Sequence, residues 1–284
     1  MTTIKIVTDS TCDLPKEVIE KHGIEIIPLS LTFGDKTYLD GVDITKEEFM
    51  DKLKASEDLP KSSQPSAGAF QELYDRLNKE ADDVKIISIH ITEGMSGTTN
   101  AAQTAADMCE ADVTVINSRF ISQALGFQVV RAAQLAEEGL TVDEIVQYLE
   151  EIREGTSLYI MVDTLEYLAK GGRIGKSKAF LGSLLKIKPI LSLTDGVLNP
   201  VSKVRTHMQM IQQLTTTFTT ETKGKIVKKI AISHAEADSV AMKLKQSLQG
   251  VTDVKDITIQ VTSPIISTHA GPGAVALMYY TESK

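Results

Sequence analysis

Four short segments of this 284-residue chain are rich in hydroxyls and glycines, and three of them fall where a strand or helix pattern breaks off: Asp9-Ser10-Thr11-Cys12-Asp13, Ser62-Ser63-Gln64-Pro65-Ser66, Gly94-Met95-Ser96-Gly97-Thr98 and His269-Ala270-Gly271-Pro272-Gly273. Ser96-Gly97-Thr98 follows the run Val84–Ile91 and opens a helical pattern. Backbone N–H groups at a helix start, joined by a serine hydroxyl, are suited to holding an anion such as a carboxylate. The same residues also serve as ordinary helix caps. Asp13 and Ser66 read first as caps, of helices beginning at Leu14 and Ala67. His269, beside a glycine-proline turn that permits close approach of a ligand or another strand, is either a ligand contact or a buried hydrogen-bonding group.

Two motifs come close to enzyme signatures and depart from them at defined positions. Gly171-Gly-Arg-Ile-Gly175-Lys176-Ser177 has three residues between its outer glycines where a phosphate-binding loop needs four, and no apolar strand runs into it. Gly94-Met-Ser96-Gly97 places its second glycine directly after the serine, unlike the nucleophile elbow of α/β-hydrolases. A serine hydrolase using Ser96 with His269, or a small-molecule phosphotransferase, is therefore the alternative reading and not the first. His22, His90, His207 and His234 show no metal-binding spacing, and Cys12 and Cys109 are too few for a cluster, so no metal or other cofactor is expected. Cys109 reads as core packing.

The elements that must position these segments follow from length and pattern. A chain of 284 residues exceeds the usual single-domain size, and 42% hydrophobic with 24% charged residues is an ordinary globular balance, so two folded domains are expected. The net charge of −8, with lysines scattered among acids, disfavours nucleic acid as a partner. The start, Met1-Thr-Thr-Ile-Lys-Ile-Val, reads as a strand and not as a leader, and no apolar run approaches the ~20 residues that cross a bilayer. A cytoplasmic protein without stable membrane insertion is expected.

Strands are predicted over Ile4–Thr8, Ile24–Phe33, Val84–Ile91, Val113–Asn117 and Leu158–Val162. They alternate with helices over Pro15–Lys21, Lys46–Lys54, Ala67–Asn78, Thr98–Met108, Ser122–Glu137 and Val142–Arg153. That alternation implies an open, mostly parallel sheet with flanking helices over residues 1–163, with ligands gathered at the carboxyl ends of its strands. Residues 164–284 read as a smaller α+β domain. It begins with helices Leu165–Lys170 and Ser177–Leu185, then a hairpin from Lys188 to Val201 turning at Asp195-Gly196. Helices Met208–Thr220 and Asp238–Leu248 and strands Lys228–Ser233, Ile257–Thr262 and Val275–Tyr280 complete it.

Taken together, the segments resemble the DegV family of bacterial fatty-acid-binding proteins along essentially the whole chain. The residues that carry the resemblance are Val7-Thr8-Asp9-Ser10-Thr11, Ser62-Ser63-Gln64-Pro65-Ser66, Met95-Ser96-Gly97-Thr98, Gly171-Gly172-Arg173-Ile174, Lys188-Pro189-Ile190, Lys203-Val204-Arg205-Thr206 and His269-Ala270-Gly271-Pro272-Gly273. The resemblance implies a carrier, not an enzyme, with one long-chain fatty acid such as palmitate or oleate in an apolar tunnel between the two domains. It places the carboxylate on Ser62 and Ser96 with His269 nearby. It also implies an ATP-binding fatty-acid kinase as partner, with Arg205 on the partner-facing side. The chain departs from the family pattern in having serine at position 62, often threonine, and Asn117-Ser118 where an Asp-Ser pair is usual. A buried chain of about fifteen methylenes at ~0.8 kcal/mol each supplies on the order of 12 kcal/mol before ordering costs. Hydroxyls need only satisfy the head group.

Overall fold

The computed structural model describes residues 2–180 and 187–283. The first stretch runs β1 (Thr3–Asp9), α1 (Lys16–Lys21), β2 (Glu25–Ile27), β3 (Ser30–Phe33), β4 (Lys36–Leu39), α2 (Lys46–Ala55), β5 (Lys61–Ser63), α3 (Ala67–Asn78), β6 (Val84–His90), α4 (Thr98–Met108), β7 (Asp112–Asn117), α5 (Ser122–Glu137) and α6 (Val142–Gly155). The second runs β8 (Thr156–Met161), α7 (Glu166–Lys170), β9 (Lys188–Thr194), β10 (Val197–Val204), α8 (His207–Glu221), β11 (Lys225–His234), α9 (Asp238–Gln249), β12 (Ile257–Val261), α10 (Pro264–Ala270) and β13 (Val275–Ser283). The helix expected over Ser177–Leu185 lies largely outside the described residues. Its described part belongs to a 3-10 turn, Gly175–Phe180.

Strands β2-β1-β6-β7 form the expected parallel sheet. Its helices form where caps and apolar periodicity agree. In α3, Ser66 Oγ accepts from Ala69 N, and Phe70, Tyr74 and Leu77, spaced four and three apart, are fully buried against the sheet. In α6, Thr141 and Glu144 close a capping box, and Ile145, Leu149 and Ile152 face inward with α5 on the opposite side of the sheet.

The single strand predicted over Ile24–Phe33 divides at Pro28, which has no N–H to give to a ladder. Its first part, β2, stays in the parallel sheet, while β3 enters a three-stranded antiparallel sheet in the order β4-β3-β5. A second correction concerns β8. It was expected as a fifth parallel strand, yet it pairs antiparallel with both β13 and β9. An apolar run buried on both faces looks the same in either setting, so the pattern alone does not reveal its sheet.

The six-stranded mixed sheet has the order β10-β9-β8-β13-β11-β12, and only β11 and β12 run parallel. Strand alternation divides its side chains. Tyr159, Met161, Ile230, Ile232, Val275 and Leu277 pack on α8 and α9, while Leu158, Ile160, Leu191, Leu193, Ala276 and Met278 join Ile91, Phe120 and Ile121 from the parallel-sheet half. This shared core holds the two halves together. No helix among the described residues is long and apolar enough to cross a membrane.

The segment Asp9–Asp13 also stitches the fold. Asp9 and His90, both fully buried, sit 3.0 Å apart at the carboxyl end of the parallel sheet, and Asp9 also accepts from Thr11 N and Ile91 N. Burial pushes the Asp9 carboxyl up, but His90 and these donors outweigh it and hold the group below its ordinary value. Asp13 is not the cap of α1, whose N-cap is Pro15. Turned inward by a left-handed backbone (φ 51°), it accepts from Ser122 Oγ, Thr262 Oγ1 and Ser263 N, so one carboxylate joins three separate stretches of chain.

Nearby, Asp40 is 2% exposed, and among the described residues neither of its carboxyl oxygens has a well-placed partner. Burial pushes it up to about 7, against the opposing effects of the Ser10 hydroxyl and Lys46. A carboxyl whose folded pKa exceeds its unfolded value binds the proton more tightly when folded, so its penalty grows as pH rises from about 4 to about 7. Asp40→Asn is therefore expected to match the wild type below pH ~4 and to exceed its stability by about 4 kcal/mol above pH ~7. Urea unfolding across that range measures it, and a constant difference at every pH would contradict the assignment.

Candidate functional site

Where the two halves meet, a cavity of about 280 Å³ opens at the carboxyl end of the parallel sheet. Most of its wall is apolar: Ile91, Ile121, Ile160, Leu168, Leu198 and Ile266 come from both halves. Polar groups gather at one part of the lining, where Ser62, Gln64, Ser96, Arg173 and His269 converge. The loops after β6 and β7 reach the cavity, at Ile91, Ser96 and Ile121. The loop after β1 instead carries the Asp13 link.

Ser62 lies on β5, an element that the sequence reading missed, and its register opposite Leu31 of β3 fixes its place. Strand β4 was missed as well, and there a signal was present: Gly34-Asp35 between Leu31-Thr-Phe33 and Lys36-Thr-Tyr-Leu39 is a two-residue hairpin turn, with Gly34 in the left-handed region. His269 sits on α10, a helix that the sequence reading did not place between strand Ile257–Thr262 and the glycine-proline turn. Ser263 caps this helix by accepting from Ile266 N, and Pro264 occupies its first turn. Ser62 Oγ and His269 Nε2 are 2.7 Å apart.

His269 is half-buried, and burial together with the positive charge of Arg173 pushes it down to about 4. The ring is neutral at physiological pH. With Nε2–H donating to Ser62, the serine proton is free to bond an anion in the cavity. Among the described residues His269 Nδ1 has no partner, so none of them supplies this pair with the carboxylate that orients the histidine of a catalytic triad.

Ser96 Oγ lies 2.8 Å from Thr98 Oγ1 and accepts from Thr98 N, while Met95 N and Ser96 N donate to Thr92 O. The backbone donors expected to form an anion cradle here are thus partly used within the loop, and the Ser96 hydroxyl is what this segment presents. Ser96 and His269, paired in the hydrolase alternative, are not hydrogen-bonded; it is Ser62 that meets the imidazole.

Arg173 is the site residue that sequence reasoning passed over, although its motif was noted as a phosphate loop with the wrong spacing. It follows α7 in a turn, not the strand-to-helix loop of a nucleotide site. Its Nε donates to Met95 O at 3.0 Å and its Nη1 to Gly171 O at 2.7 Å, which fixes the guanidinium between two loops of the polar end. Arg205 stands apart. It is exposed between β10 and α8, its backbone N donates to Gln209 Oε1 at 2.8 Å, and it does not line the cavity.

Two glycines make room for the polar groups. A Cβ at Gly97 would come within 2.2 Å of Gln64 Oε1, and one at Gly171 within 2.1 Å of His269 Nδ1. Gly171→Ala is therefore expected to push the imidazole off Ser62. NMR of the histidine ring should show the Ser62 hydrogen bond lost and its pKa raised towards the ordinary value. An unshifted His269 signal in the folded variant would contradict this packing.

Residues 3–282 match the model of the family described as "Uncharacterised protein, DegV family". A DegV domain-containing protein of Staphylococcus aureus strain N315 is 43% identical over 278 residues, covering 98% of this chain and 99% of that protein. Among solved structures, a fatty-acid-binding DegV family protein from Thermus thermophilus superposes with a TM-score of 0.92 at 30% identity, covering 99% of this chain and 100% of that one. DegV of Bacillus subtilis, a fatty-acid-binding protein, does so with a TM-score of 0.88 at 33% identity, with the same coverage. Two domains, one on a parallel sheet and one on a mixed sheet, and the full-length match agree: this chain belongs to the DegV family.

Proposed function

We propose that this protein binds one long-chain fatty acid of about sixteen to eighteen carbons in the cavity between its halves, with β8 counted in the second half, so that the boundary between the enclosing units lies near residue 155 and not at 163. The observation that carries the reading is a cavity apolar along most of its wall and polar where Ser62, Ser96, Arg173 and His269 meet. An acyl chain supplies affinity through burial, and the carboxylate is met by two hydroxyls and a positive charge, which offset the cost of removing it from water. A neutral His269 supports Ser62 as a donor without competing for the proton.

The protein acts in the cytoplasm as a carrier, without catalysis of its own, and presents the bound carboxylate to an ATP-binding fatty-acid kinase. Arg205, exposed and outside the cavity, is assigned to that partner's docking face, where a guanidinium pairs with an acidic or phosphate group. The test combines the protein, labelled fatty acid, ATP and a kinase subunit from the same genome. Acyl-phosphate is expected with wild type and reduced at least tenfold with Arg205→Ala, while fatty-acid binding is unchanged. Equal turnover with both proteins removes Arg205 from the docking face, and ATP-dependent product without the kinase overturns the carrier reading.

A further inference from the structure

The two halves also meet at a second cleft, of about 580 Å³, that shares no residue with the cavity described above. Helix α5 turns one face to it. Gln123, Phe127, Val130 and Gln134, spaced four, three and four apart, form a stripe about 16 Å long with an amide at each end. Leu14 and Val18 from the start of the chain, Ile152 of α6 and the ring of Tyr280 on β13 complete an apolar wall.

Three aromatic rings border this cleft, those of Phe127, Tyr148 and Tyr280, and among the described residues none of them has an aromatic partner. Tyr148 is left 45% exposed. The charged groups of the lining balance, because Arg131, Lys228 and Lys229 are matched by Glu151, Asp256 and Glu282. Lys228 is already held by Glu282 at 2.9 Å, and Arg131 by Glu138 at 2.8 Å. Gln123 is different. It is only 5% exposed, yet among the described residues its amide nitrogen has no hydrogen-bond partner. A buried N–H donor without an acceptor costs free energy, and a ligand that brings an acceptor to this amide recovers that cost on binding.

We propose that this cleft is a second ligand site, which takes a flat, uncharged aromatic molecule whose hydrogen-bond acceptor meets the Gln123 amide. Its size, its apolar and aromatic lining with few free polar groups, and its place at the junction of two units are those of small-molecule sites in general. Rings without partners gain from edge or face contact with a bound ring. A net charge on the ligand gains little, because each charge in the lining has its opposite. The proposal does not rest on the fatty-acid reading of the main cavity.

The experiment first saturates the protein with palmitate and then titrates it with prodan, a neutral naphthyl ketone whose emission moves to the red when its carbonyl accepts a hydrogen bond. One prodan per chain is expected to bind the palmitate-filled wild type. Gln123→Leu weakens that binding roughly fivefold and moves the bound emission to the blue, since the carbonyl loses its donor. Val130→Trp fills the middle of the stripe and weakens it roughly tenfold or more. Palmitate binding is unchanged in both variants. Should Val130→Trp fail to fold, Gln123→Leu decides alone. Prodan that does not bind the palmitate-filled wild type, or that binds the folded variants as tightly and with the same emission, overturns the second site. A wild type that takes up no palmitate overturns the fatty-acid reading alone, and the same prodan comparison on the unfilled protein then decides the second site.

Discussion

Replacing both Ser62 and Ser96 by alanine is expected to lower fatty-acid affinity about a hundredfold or more while the protein remains folded. A hydrogen bond to a charged group contributes about 1.5–3 kcal/mol, so each hydroxyl accounts for roughly one to two powers of ten. The two serines reach the cavity from different elements, β5 and the loop before α4, and bond different partners. Their effects should therefore nearly add. The single variants should not be equal in character. Ser62→Ala also removes the partner of His269 Nε2, whereas Ser96→Ala leaves the imidazole contact in place. Competition with a fluorescent fatty acid measures the affinities, and circular dichroism checks the fold. An unchanged affinity in the folded double variant would mean that the carboxylate lies elsewhere.

The largest effect on stability should come from Asp13. Three donors, the Ser122 and Thr262 hydroxyls and the Ser263 N–H, end on this one buried carboxylate, and Lys46, whose own amine donates to Val261 O, lies close enough to oppose the rise that burial imposes on it. Asp13→Ala leaves those donors buried without an acceptor, which should destabilise the protein by roughly 3–5 kcal/mol. Asp13→Asn retains one acceptor oxygen and should lose less. Denaturant unfolding with a shared m-value would show this as a lower midpoint. Equal midpoints for wild type and Asp13→Ala would mean that the link does not hold the two halves together.

How far the sequence predicts this molecule depends on whether a feature is local. Helix α3 is legible because Ser66, Phe70, Tyr74 and Leu77 announce a cap and an apolar face within one segment. The β9–β10 hairpin is legible because Asp195-Gly196 fits a tight turn between two apolar runs, and both residues do adopt positive φ. Features decided by distant partners are not. Asp13 looks like a cap until Thr262 and Ser263 fold onto it from the other end of the chain. The direction of β8 depends on β13, more than a hundred residues away.

The candidate site divides along the same line. Ser62, Ser96 and His269 do line one cavity, but the contact between Ser62 and His269 spans 207 positions and no pattern announces it. Arg173 escaped because its glycine-rich setting invited comparison with a nucleotide loop, while its place in the cavity depends on carbonyls of Met95 and Gly171 that fix its guanidinium. The strand bearing Ser62 escaped because it is only three residues long and has neither an apolar nor an alternating pattern.

Whether the cavity carries a fatty acid is tested most directly by native mass spectrometry of the protein purified from a bacterial host, before and after organic extraction. One added mass per chain is expected, lost on extraction, identified as a fatty acid of about sixteen to eighteen carbons and restored by palmitate or oleate. A protein that carries no lipid as purified and takes up neither acid would contradict it.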